Sequence, residues 1–127
     1  MFKIEKAEWT VYSDGDLTGA KTSQATVKLR IGRQEILTAQ DGTGPVDALA
    51  KALLKAVGEI KPEVSEIRLI SFSATHVNGK GKEGTAGDVL VQTDFARNGR
   101  QFRGVELSKN ILDASFKTLV RGIEALL

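Results

Sequence analysis

The chain has 127 residues, 41% of them hydrophobic and 27% charged, with 18 Lys+Arg against 16 Asp+Glu. This fits one globular domain with a real core and excludes a disordered chain. A net charge of +2, no cysteine and no apolar run near the roughly 20 residues of a bilayer span give no ground for nucleic-acid binding, disulfides, thiolate metal sites or a membrane helix.

The opening "MFKIEKAEW" lacks the apolar core of a signal peptide, so a cytoplasmic location is expected. Residues 2–12 read as a strand. Phe2 and Ile4 lie in one phase and Ala7, Trp9 and Val11 in the other, which places a bulge near Glu5–Lys6. Asp14 and Asp16 in "SDGD" read as a turn, since a calcium loop would need further acidic ligands and a closing Glu. In "ATVKLRI", residues 25–31, Ala25, Val27, Leu29 and Ile31 alternate with polar neighbours, as in a half-buried strand. "GRQ" turns the chain and residues 35–40 read as the hairpin partner. From Pro45 the period becomes helical, with Val46, Leu49, Ala50, Leu53, Leu54 and Val57 on one stripe. Pro45 suits the first helical position and Asp47 the positive helix end. Gly58 and "KPE" at 61–63 end the helix. Strands follow at 66–77, 87–97 and, after the turn "NGR", 101–107. A last helix starts near Lys109, with Leu112, Ser115, Phe116, Leu119, Ile123 and Leu126 on one face.

The halves superpose at an offset of 66 residues: Val46-Asp47-Ala48 falls on Leu112-Asp113-Ala114, Lys51 on Lys117, Leu53 on Leu119, and Val27 and Leu29 on Thr93 and Phe95. Residues 1–127 therefore read as a single α+β domain of two pseudo-symmetric βββα units packed together, approximately 1–60 and 66–127.

The residues offer little to catalysis. His76 is the sole histidine and lies in an expected strand, and there is no metal-ligand spacing or nucleophile elbow. No catalytic residue, metal or cofactor is expected. "GKGKEG", 79–84, has the letters of a dinucleotide loop but precedes a strand instead of a helix, so it reads as a hairpin loop. "DGTGP", 41–45, is more informative. It joins a strand to a helix whose first amides could receive an anion. Asp47 would repel a phosphate, so a zwitterion such as a free amino acid fits better. The alternative is that Gly42 and Gly44 supply positive φ in a tight turn.

At these residues a resemblance becomes specific. "TAQDGTGPVDALAKAL" resembles the GxGPVDAL segment of the C-terminal regulatory domain of α-isopropylmalate synthase and citramalate synthase. "ATVKLRIG", "GTAGDVLVQ" (84–92) and "GVELSKNILDAS" (104–115) resemble further motifs of that family, in order, across nearly the whole chain. The resemblance implies two βββα units, homodimerisation and feedback binding of leucine or isoleucine at the dimer interface, inhibiting a separate TIM-barrel catalytic domain. It implies no enzyme activity in these residues. By position, the effector pocket would take Gly42, Gly44, Val46 and Asp47 from the first helix start. Leu69 and Phe72 would come from the next strand, Gly87 and Val89 from the hairpin, and Leu107 from the last strand. The family often has tyrosine at Phe72, alanine at Gly87 and an acidic residue at Ser71. Three readings stay open: an amino-acid sensor that dimerises, a structural dimerisation module without an effector, and an unrelated small-molecule or anion binder.

Overall fold

Each strand pairs with its neighbour in sequence. β1 (Lys6–Gly15), β2 (Lys21–Ile31) and β3 (Gln34–Gly42) make one antiparallel sheet, in that order. β4 (Arg68–His76), β5 (Val89–Arg97) and β6 (Arg100–Ser108) make a second. Helix α1 (Pro45–Gly58) follows the first sheet and α2 (Ile111–Leu126) the second, giving the α+β pair of βββα units expected. The structure is a computed structural model and describes residues 1–15, 17, 21–77 and 87–127; Asp16 and the glycine-rich 79–84 lie outside the described residues. The chain forms two compact units, Met1–Ser65 and Glu66–Leu127.

In the first unit Ala25, Val27 and Leu29 are buried on the sheet face that α1 packs against. Ala7, Trp9 and Val11 stand opposite Leu29, Val27 and Ala25 and share that face. The β1–β2 ladder is unbroken from Lys6 to Gly15, and ahead of it the Glu5 amide donates to the Arg30 carbonyl at 2.9 Å although Lys6 already stands opposite Arg30, so two residues meet one at the expected bulge. The phase changes before the strand begins, where Phe2 and Ile4 are buried. β1 also continues through Ser13–Gly15, where a turn was expected; Ser13 stands opposite Ser23 with their hydroxyls 2.6 Å apart.

The buried face of α1 is Ala48, Leu49, Ala52, Leu53, Ala56 and Val57. Val46 and Ala50 are only half-buried, and Leu54 is exposed. The stripe read from large side chains is thus rotated. Three alanines form the centre of the contact because short side chains let the helix close onto the sheet. Thr38 Oγ1 uses that proximity to donate to the Ala52 carbonyl at 2.7 Å.

The second unit repeats the plan. β3 and β6 stand 66 positions apart at both ends. The ion pairs Lys51–Asp47 and Lys117–Asp113 are each 3.1 Å long and bridge successive turns of their helices. The β5–β6 turn, Asn98-Gly99, has both residues at positive φ (48° and 83°), as a two-residue hairpin requires. The helix contacts are re-cut by paired exchanges. Thr38 and Ala52 become Gly104 and Thr118; Leu29 and Ala56 become Phe95 and Gly122. A Cβ on Gly122 would fall within 2.5 Å of Phe95 Cδ2, so the ring needs the missing methyl.

Candidate functional site

The two helix starts differ. At α2, Asn110 is the N-cap, and its Oδ1 accepts from the amides of Leu112 (2.8 Å) and Asp113 (3.2 Å). At α1 the N-cap is Gly44, no side chain caps the helix, and Pro45 takes the first position. The amides of Val46 and Asp47, at the places Asn110 seals in α2, are left uncapped. Gly44 lies at φ −160°, ψ 176°, which is extended backbone open to any residue. Among the described glycines only Gly32 and Gly99 have positive φ, so neither Gly42 nor Gly44 is there to supply it. Gly42 has a steric role: a Cβ there would run into the backbone nitrogen of Ala48 and come within 2.6 Å of its Cα. The bare turn lets the end of β3 touch the first turn of α1.

Asp47 turns back on the same loop. Its Oδ2 accepts from the Thr43 amide at 2.9 Å and lies 3.1 Å from Lys51 Nζ. The Thr43 amide is the largest influence and holds the Asp47 carboxyl below its ordinary value of 3.8; burial opposes it, and Lys51 adds to the lowering. A carboxyl lowered in the folded state adds stability above its unfolded pKa, and that stability is lost as pH falls through the folded value. Stability should therefore fall as pH drops below about 4, and the fall should be shallower in Asp47→Asn. Melting curves across acid pH test this; identical slopes would remove the Thr43–Asp47 bond from the account. Thr43 was missed in the sequence, although a Thr four residues before an Asp in a first helical turn was there to be noticed.

In the second unit, a bulge at Ile70 governs the face of β4. Leu69 stands opposite Phe95 and Ser71 opposite Asp94, so two steps on β4 match one on β5. The bulge puts Leu69 and Phe72, three residues apart, on one face, since Phe72 stands opposite Thr93. His76 stands opposite Val89 on that face too. Helix α2 packs on β5 and β6 and makes no comparable contact with β4. Leu69 is consequently 46% exposed and Phe72 36%. Gly87 is buried just ahead of β5. Leu107 lies on the other face of the sheet. It stands opposite Leu90, one step out of phase with Val89, and so faces away from Leu69, Phe72 and Val89. Gly42, Gly44, Val46 and Asp47 belong to the α1 start of the first unit; within the second unit Leu69, Phe72 and Val89 share one face of the sheet and Leu107 lies on the reverse. On that reverse face Asp94 accepts from Ser71 (2.6 Å) and Arg103 (2.7 Å). Arg103 first, then Ser71, lowers the Asp94 carboxyl. A groove of about 360 Å³ beside this pair is lined by Ile70, Asp94, Phe95, Gln101, Phe102 and Arg103, none of them an expected effector residue. Among the described residues no group of three or more His, Cys, Asp or Glu could hold a metal ion, and no helix is long and apolar enough to cross a membrane.

The chain is thus a duplicated βββα plan with one helix start uncapped by a side chain and β4 left uncovered by the helix of its unit. The chain belongs to the family described as the LeuA allosteric (dimerisation) domain, which it matches over residues 2–127. It is 34% identical to an (R)-citramalate synthase of Synechocystis over 104 residues, 82% of this chain and 19% of that protein. It is 36% identical to a 2-isopropylmalate synthase of Pseudoalteromonas atlantica over 96 residues, 76% of this chain and 17% of that protein. An (R)-citramalate synthase of Aquifex aeolicus is 36% identical over 98 residues, 77% of this chain and 18% of that protein. The chain thus spans under a fifth of the length of these relatives.

Proposed function

We propose that the chain is a cytoplasmic, homodimeric sensor of leucine or isoleucine that sets the activity of an acetyl-CoA-dependent 2-isopropylmalate or citramalate synthase barrel. It takes no catalytic part itself. The carrying observation is the unsealed start of α1 in a domain of this allosteric family. An amino-acid carboxylate would accept from the amides of Val46 and Asp47 as Asn110 Oδ1 accepts from those of Leu112 and Asp113 in the second unit, in a field favourable to an anion. The strip of exposed Leu69 and Phe72 with half-buried Val89 suits an aliphatic side chain, worth about 1.5–3 kcal/mol when fully buried. Leu107 faces away from that strip, so it supports the interface between copies better than the ligand.

Leucine or isoleucine at 100 times its Kd should stabilise the chain by about 2.7 kcal/mol. Sedimentation should give a dimer mass, and a monomer at high micromolar concentration would count against pairing. Phe72→Ala and Gly44→Ala should remain folded and dimeric and lose the thermal response. A folded Gly44→Ala that keeps the full response would remove the helix start from the site.

A second reading, a dimerisation module without an effector, is favoured by one observation. The Asp47 carboxylate already holds the Thr43 amide in front of the helix, where it opposes an incoming carboxylate. A parent chain that dimerises but responds to neither amino acid would establish that reading in place of the first.

A further inference from the structure

The two units offer an internal comparison across the 66-residue offset. The centre of the α1 contact contains Val27, Leu49 and Ala52; the same places under α2 hold Thr93, Ser115 and Thr118, all fully buried. Thr118 Oγ1 donates to the Ser115 carbonyl at 2.8 Å. Among the described residues, Thr93 Oγ1 and Ser115 Oγ have no hydrogen-bond partner. A buried hydroxyl without a partner has given up water for nothing in return, so it weakens the contact that buries it. Ser, Thr and Gly at 115, 118 and 122 are also poorer helix formers than Leu49, Ala52 and Ala56. Support from the sheet differs as well. Helix α1 packs on β2 and β3 and reaches β1, whereas α2 rests on β5 and β6 beside a wholly exposed β4.

The far end of α2 is held differently. The guanidiniums of Arg97 and Arg100 each donate to the Leu126 carbonyl at 2.7 Å, and Arg97 also pairs with Glu66 at 2.9 Å. Gly122 is interlocked with the Phe95 ring. One end of the helix is therefore clamped, while the part nearer its start lies on unsatisfied hydroxyls.

We infer that α2 is the mobile helix of this domain: residues 111–119 open from the sheet about a pivot at 122–126, while α1 stays docked. Local opening concentrates where apolar support is least, and a marginally held helix is an element whose position a ligand or partner can bias. The inference goes beyond the effector reading and does not depend on it.

Hydrogen exchange measured by mass spectrometry on the unaltered chain tests it. Backbone amides of 115–120 should exchange about tenfold faster, or more, than those of 49–54. The double variant Thr93→Val, Ser115→Ala makes the contact apolar and should slow exchange at 115–120 several-fold, leaving 49–54 unchanged. Equal exchange in the two helices of the unaltered chain overturns the inference, whatever the variant does. So does a folded double variant whose 115–120 amides exchange no more slowly than before.

Discussion

Gly42→Ala should destabilise the chain by about 1–3 kcal/mol or more, whereas Gly44→Ala should change stability by no more than about 0.5 kcal/mol. The two glycines flank Thr43 and look interchangeable in sequence. Gly42 ends β3 opposite Ser23, in contact with the first turn of α1. A methyl group there meets the backbone of Ala48 and lies 2.8 Å from Asp47 Oδ2. Backbone cannot rotate aside as a long side chain can, so the helix start must move. That movement strains the Thr43–Asp47 bond and lifts Leu49, which is fully buried, from the sheet. At Gly44 the extended backbone accepts any residue, and an added Cβ has no atom within 4 Å. Alanine is a poorer N-cap than glycine, but Gly44 caps through no side chain, so little is lost. Denaturant midpoints at unchanged slope measure both. A Gly42→Ala chain as stable as Gly44→Ala would refute the close approach.

The elements were legible because their periods were clean. ATVKLRI alternates and is paired as expected, and the Asn-Gly hairpin turn was visible from composition. The 66-residue repeat was legible because both helices keep an Asp and a Lys one turn apart. The orientation of α1 was harder to see. Alanines carry the contact, and a stripe drawn through the larger Val46 and Leu54 points between the core and solvent. The bulge at Glu5–Lys6 was legible as a change of phase, whereas the far end of β1 was misread, because "SDG" resembles a turn although it pairs with β2.

The site was less legible than the fold. That Leu69 and Phe72 share a face depends on the bulge at Ile70, which no local pattern announces. The reversed face of Leu107 follows from register with Leu90, a long-range fact. At the helix start, positive φ was the wrong reason for the glycines. Extended backbone at Gly44 and contact at Gly42 are set by how β3 meets α1.

Gly122→Ala should destabilise the chain, and Phe95→Leu should reverse much of the loss. An Ala in a helix interior is favoured over Gly by about 1 kcal/mol, so at a loosely packed position the first change would stabilise. Here the new Cβ comes within 2.5 Å of Phe95 Cδ2 and 2.9 Å of its Cγ. The ring is only 4% exposed and has nowhere to retreat, so overpacking of about 1–3 kcal/mol exceeds the propensity gain. Phe95→Leu alone leaves part of the ring volume empty, at less than the roughly 3–5 kcal/mol of a Phe→Ala change. Together the substitutions reproduce the Leu29–Ala56 pair of the first unit, where both residues are buried and compatible. Contacting residues couple by about 0.5–3 kcal/mol, and the coupling here should favour the double variant. Four denaturation curves complete the cycle. If the two changes add within about 0.5 kcal/mol, the glycine and the ring are independent, and the paired exchange between the units has no packing cause.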